Sequence, residues 1–304
     1  MDTVTSNAEM KFTRTVLLLW LSLLVQIEAK NWDLNFNFTG YTARARLLMT
    51  NCNLDVKSYI NLVLGQVLKT YAVVEPSTNF LSPHISCVDD TTMSKAMKFT
   101  IYAGDNDVSS GLIDRQRLEM VVSGNSQSVL KAAENSDYIY AWWFHLKSDL
   151  SVTDNFFHIF RLKADDGVSD DKDTLLTMTL TRRHGLHLRI RDDSSQSVTY
   201  QTMLDLQSAT DKWIQAFVQV QYRSTTDSQA DSDNGSVRII LKDINGKVLY
   251  PPKQDTGLYV LSTFPQGTDY VAPKWGFYRQ FSQDFLFHAS DWQLFQNVNI
   301  WKKN

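Results

Sequence analysis

The stretch "APKWGFYRQF" (272–281) sets Lys274, Gly276, Tyr278 and Gln280 at alternate positions. Side chains alternate across a strand, so these four share one face and Trp275, Phe277 and Phe281 share the other. The second face is apolar and belongs in a core. The first holds a cation, a gap, a phenol and an amide. It is either a solvated sheet face or a groove for binding or catalysis. Three more stretches divide the same way. "LHLRIRD" (186–192) gives Leu186, Leu188 and Ile190 to a core and leaves His187, Arg189 and Arg191 outward. "RQRLEMV" (115–121) separates Gln116, Leu118 and Met120 from Arg115, Arg117 and Glu119. "WIQAFVQVQY" (213–222) turns Ile214, Ala216, Val218 and Val220 inward, with Trp213, Gln215, Phe217, Gln219 and Gln221 on its other side. If the outward faces line one groove, it is basic, amide-rich and aromatic. Guanidinium forks match carboxylates, amides match hydroxyls, and aromatic faces cover the apolar side of a pyranose ring. The partner this predicts is an acidic sugar chain. Alternation shows which residues share a face but not which sheets meet, so separately solvated faces are the alternative.

The elements that must position these residues are strands. From about residue 96 the chain offers eleven strand-like runs, from "KFTIYAG" to "DWQLFQNVNIWK", most of them separated by Asp-, Asn-, Ser- and Gly-rich breaks. "INGKV" (244–248) is a hairpin signal, with Asn245-Gly246 suited to positive φ. No convincing helix follows residue 100, and no internal repeat is present. Regularly spaced strands with polar breaks predict an all-β fold, a two-sheet β-jelly-roll sandwich whose concave sheet can hold a polymer. Residues 30–95 read differently. "NLDVKSYINLVLGQVLKTYAVV" has mixed helical spacing, so this segment is expected to be a partly helical or irregular N-terminal extension of unknown role, before a domain at 96–304.

The 304 residues are 43% hydrophobic and 21% charged with a net charge of −3, which is ordinary globular composition. No global basic field points to nucleic acid, so an anionic ligand must be drawn by local charge. Residues 1–29 read as a secretory signal peptide. Lys11 and Arg14 precede the apolar run 16–25, Ala29 stands at a cleavage point, and Met10 is a candidate true start. The apolar run is shorter than the roughly 20 residues of a membrane span. The expectation is therefore a secreted, extracellular monomer with no membrane attachment after cleavage. In an oxidising compartment the only two cysteines, Cys52 and Cys87, are expected to pair, with two buried thiols as the alternative. The sequons at Asn37 and Asn234 fit secretion. "DDGVSDDKD" (165–173) reads as a solvated turn, with a calcium site as the alternative.

"DRQRLEM" (114–120), "FFHIFRLK" (156–163) and "PKWGFYRQF" (273–281), in that order and spacing, resemble the secreted β-jelly-roll polysaccharide lyases of the glucuronan lyase type. They resemble more distantly the alginate lyases of similar, concanavalin A-like fold. The resemblance covers about residues 96–304. It implies β-elimination on a polyuronate such as glucuronan. A base removes the C5 proton, donors stabilise the charge on the neighbouring carboxylate, and a proton reaches the leaving oxygen. It implies proton transfer by Tyr278, room for the sugar at Gly276, substrate binding by Lys274 and Gln280, and carboxylate pairing by Arg115 and Arg117. Arg189 joins the substrate-binding set. The family's His-x-His-Gln strand is matched only at His158. Phe160 and Arg161 depart from it, and Phe160 can neither donate a hydrogen bond nor move a proton. Arg161, one residue off the face of His158, then shares the neutralising task, or activity is reduced or absent. No cofactor is required for this chemistry. Jelly rolls of this kind often carry a structural calcium near the last strand, which makes Asp291 a candidate ligand. The alternative function is a lectin-like, catalytically inactive binding protein. A retaining glucanase is disfavoured, since no Glu-x-Asp-x-x-Glu string is present.

Overall fold

The computed structural model describes residues 38–64, 73–74, 83–105, 114–165, 174–192, 195, 197–224, 234–282 and 290–304. The expected leader, Asn37 of its sequon and residues 166–173 of the aspartate run lie outside the described residues.

Two antiparallel sheets form the predicted β-jelly-roll sandwich. One has nine strands: β1 (Tyr41–Leu47), β3 (Ile85–Asp90), β4 (Ser94–Tyr102), β6 (Asp137–Leu146), β11 (Trp213–Gln221), β12 (Ser236–Asp243), β13 (Val248–Tyr250), β14 (Leu258–Val260) and β16 (Ser290–Lys303). The other has seven: β2 (Val73–Val74), β5 (Arg115–Val121), β7 (Phe157–Asp165), β8 (Thr174–Thr181), β9 (Gly185–Arg191), β10 (Val198–Leu204) and β15 (Tyr270–Gln280), in the order β10-β9-β8-β7-β15-β5-β2. Each of the eleven expected runs is a strand. The hairpin between β12 and β13 turns at Gly246, with φ 79°, as its Asn-Gly signal predicts.

The inward faces interlock through large aromatics. Trp142 of β6 meets Phe160 of β7 with ring centroids 4.4 Å apart and Trp275 of β15 at 6.2 Å. All three are buried, and each contributes on the order of 2–3 kcal/mol by leaving water. Arg279 also points inward. It is only 1% exposed, and it donates from Nε to Gln116 at 2.8 Å and from Nη1 to Asp291 at 2.6 Å. Asp291 also accepts from the Ser151 amide. This pair ties β15 of one sheet to β16 of the other. It corrects the expectation for Asp291, whose carboxylate holds a guanidinium where a calcium was anticipated.

The boundary expected at residue 96 does not divide the structure. β1 pairs with the C-terminal half of β16, and β3 pairs with β4. Helix α1 (Val56–Leu64) buries Val56, Ile60 and Leu64, one apolar stripe at four-residue spacing, in the main core. Cys52 and Cys87 form a disulfide, with Cα atoms 5.3 Å apart. The segment before 96 is therefore built into the sandwich. Among the described residues after 100 there is one turn of α-helix, α2 (Leu206–Ala209), where none was expected. Asp205 caps it by accepting from the Ser208 amide.

Candidate active site

The outward face of the seven-stranded sheet carries a groove of about 570 Å³ that crosses six strands, β5, β15, β7, β8, β9 and β10. Arg115, Arg117, His158, Arg161, Arg189, Lys274 and Tyr278 line it together. Gln280, at the last position of β15, is outside the lining. The outer residues of β11 are elsewhere. Phe217 packs with Ile139, Ala141, Ile240 and Trp301 on the far side of the nine-stranded sheet, and Trp213 lies there with Trp143 and Trp292. The face reading of "WIQAFVQVQY" was right, but its sheet was the wrong one for the groove. Trp142 is core, and Trp143 belongs to that far surface.

A register slip brings His158 and Arg161 to one face. Against β8, His158 pairs with Thr179 and Phe160 with Met178, so Ile159 is an extra residue. Ile159 and Phe160 are both buried in the core, and Arg161 returns to the groove. A bulge places two residues against one and re-aims the side chains beyond it. This overturns the expectation that Arg161 sits off the face of His158. It also explains Phe160, which faces Trp142 and is not a groove residue. Opposite the bulge, Gly276 has φ 138°, and a Cβ there would stand 2.2 Å from the Leu118 carbonyl oxygen. Gly276 is thus required by close approach to β5, a correction to the expectation that it makes room for sugar.

Three arginines surround Tyr278. Its Oη accepts a hydrogen bond from Arg115 Nη1 at 2.7 Å, which leaves its own proton for another acceptor. The guanidiniums of Arg161 and Arg117 lie 4.1 and 4.5 Å from its ring centroid. The His158 ring is 5.9 Å away on the adjacent strand. His158 Nδ1 lies 2.7 Å from Thr179 Oγ1, and the Thr179 hydroxyl donates to Thr177. That single hydroxyl proton is used, so Nδ1 is the donor and Nε2 keeps its lone pair. Burial, then the charges of Arg161 and Arg189, holds the His158 pKa well below 6.5. The imidazole is neutral at pH 7.

Arg161 is anchored by Glu119, which is 2% exposed. Nε and Nη2 of Arg161 bond its carboxylate at 2.7 to 3.2 Å, while Nη1 makes no such bond. Lys274 stands directly across from Arg161 in the sheet. Burial first, then the charge of Arg161, pushes its pKa down to about 8, against an opposing effect of Glu119. Among the described residues, six cations line the groove (Arg115, Arg117, Arg161, Lys163, Arg189 and Lys274) with one lining carboxylate, that of Asp154. A chain of net charge −3 thus concentrates positive potential in one trough.

The sequence reading missed the threonine row Thr177, Thr179 and Thr181 of β8, although "TLLTMTLT" shows it at two-residue spacing. Alternation put Glu119 on the face of the arginines, beside Arg117, whose Nε lies 3.9 Å from its carboxylate. Nothing in the sequence pairs Glu119 with Arg161, because the two are 42 positions apart.

A family model described as "Polysaccharide lyase" matches residues 78–297, a span that contains all six groove strands and the whole catalytic candidate set. No curated protein matches the chain. Among solved structures, the chain is similar to an endo-β-1,4-glucuronan lyase from the fungus Trichoderma reesei, at 13% identity over 71% of this chain and 85% of that one, with a TM-score of 0.47. It is similar to an alginate lyase from Aplysia kurodai at 13% identity over 85% and 98%, TM-score 0.47. It is also similar to an alginate lyase from Chlorella virus at 10% identity over 85% and 100%, TM-score 0.48. With the family model spanning most of its length, this chain belongs to the polysaccharide lyase family.

Proposed function

We propose that the groove cleaves a glucuronan-like uronate polymer by β-elimination. The observation that carries this reading is the neutral His158 imidazole beside the Tyr278 phenol, inside a trough lined by cations. A base and an acid on neighbouring strands suit a reaction that moves one proton off carbon and another onto oxygen. His158 Nε2 takes the C5 proton. The C5–H electron pair becomes the C4=C5 double bond as the C4–O4 bond breaks. Tyr278 gives its proton to O4, and the proton held by His158 then restores the phenol. The net reaction consumes no water and transfers no electrons to a carrier. Charge that builds on the uronate carboxylate in the transition state meets the side chains of Lys274 and Arg161, residues paired across β15 and β7 that both line the groove. Arg115 and Arg117 hold Tyr278 in place and carry the positive field onward.

Secretion is part of the same proposal. It is supported by the leader-like pattern at 10–29 and the Cys52–Cys87 disulfide. No helix among the described residues is long and apolar enough to cross a membrane.

The test is incubation with polyglucuronate while following the ultraviolet absorbance of the conjugated double bond. The signal grows with the wild type and is lost in Tyr278→Phe. Binding of the polymer with no new double bond would reduce the protein to a lectin, and no binding would remove the uronate substrate.

A further inference from the structure

The reaction centre is off-centre in its groove. Tyr278 and His158 lie on β15 and β7, with one lined strand, β5, on one side and three, β8, β9 and β10, on the other. Strands are spaced about 4.8 Å apart, so the β10 end stands roughly 19 Å from Tyr278. A 1,4-linked pyranose chain advances by about one strand spacing per ring, so this longer arm spans about four rings.

The far end of that arm has the parts of a sugar site. Tyr200 of β10 is 66% exposed, the most exposed of the large apolar and aromatic side chains described, and yet it lines the groove. It pairs directly across the ladder with Arg189, and His187 pairs with Thr202 beside them. Among the described residues Arg189 makes no side-chain ion pair. His187 Nδ1 lies 3.3 Å from the Gly185 carbonyl, to which it donates, so its Nε2 is an acceptor. Burial lowers the His187 pKa and keeps that lone pair available at pH 7. A ring to cover the apolar face of a pyranose, a guanidinium for its carboxylate and an acceptor for a hydroxyl thus meet in one place.

We propose that Tyr200, Arg189 and His187 form a distal subsite for a uronate ring, about four rings from the scissile bond, so that the enzyme favours long chains and cuts toward one end of the segment it binds. This rests on the lyase reading of the groove. Tyr200 is exposed, so its removal does not threaten the fold.

The experiment measures kcat/KM on oligoglucuronates of three to six residues for the wild type and Tyr200→Ala, with Arg189→Gln as a second variant. Tyr200→Ala is expected to lower the value for the hexamer about tenfold, the size one aromatic stacking contact supports, and that for the trimer less than twofold. Arg189→Gln, whose lost charge also acts on His158, is expected to weaken binding of the hexamer more than of the trimer, with a loss that shrinks in salt. Equal losses on trimer and hexamer, or no loss on the hexamer, would overturn the distal subsite while leaving the lyase intact. A wild type with neither turnover nor binding of any oligomer would overturn the uronate lyase reading, and the subsite with it.

Discussion

Lys274 is the groove residue whose removal separates binding from stability most cleanly. It is held among Arg161, Lys163 and Arg117, and its pKa falls from 10.5 to about 8. That drop corresponds to about 3 kcal/mol, at most, stored against the charged form. The folded pKa is the lower one. Below about 8 the lysine is charged in both folded and unfolded chains, and the whole cost is present. Between about 8 and 10.5 the unfolded chain binds the extra proton, so wild-type stability rises with pH through this window. Above it neither state is charged and the cost is gone. Lys274→Met keeps the length of the side chain and removes the charge. It is expected to be more stable than the wild type at pH 7, by up to about 3 kcal/mol, with a difference that shrinks toward zero near pH 10.5. It is expected at the same time to lose most binding of polyglucuronate. Urea unfolding at pH 7 and pH 10, with a binding titration at pH 7, measures both. A methionine variant that is less stable at pH 7, or whose difference from the wild type does not change with pH, would refute the claim that burial and like charge strain this lysine for the substrate's sake.

The pH profile of kcat/KM follows from Lys274 together with His158. It is expected to stay flat well below pH 6.5, because His158 is already neutral, and to fall above about 8 as Lys274 discharges, with Lys274→Arg carrying the alkaline limb upward. Arg279→Ala strands the buried Asp291 and is expected to cost roughly 3–5 kcal/mol in chemical unfolding, whereas replacing both residues with leucine-sized apolar groups costs much less. Gly276→Ala meets the Leu118 carbonyl at a positive φ. It is expected to destabilise by at least about 2 kcal/mol and to lower activity by shifting Tyr278, while Gly246→Ala, with open space around its Cβ, costs less in the same assay.

The faces of "LHLRIRD", "RQRLEMV" and "PKWGFYRQF" were legible because period-two alternation survives in β9, β5 and β15. Leu188, Leu118 and Phe277 are core, and Arg189, Arg117 and Tyr278 are groove. The bulge at Ile159 was not legible. It depends on a neighbouring strand's register, so counting from His158 put Phe160 and Arg161 on the wrong sides. Alternation also puts Arg279 on the core face with Trp275 and Phe277, but no local pattern supplies its partner, Asp291, which is on the other sheet. The role of the segment before residue 96 was equally unreadable. β1 finds β16 across more than 250 positions, a pairing that no local pattern encodes. "WIQAFVQVQY" shows the limit in its plainest form. Its inward set was right, yet spacing cannot say which of two sheets a strand joins.

Cleavage of polyglucuronate in heavy-oxygen water bears most directly on what the His158–Tyr278 pair does. Elimination predicts fragments whose new non-reducing ends carry a C4=C5 double bond and whose new reducing ends carry no solvent-derived label beyond slow exchange. Label fixed at the cut by the enzyme, with saturated ends, would mean that water attacks the bond and that the groove is not a lyase.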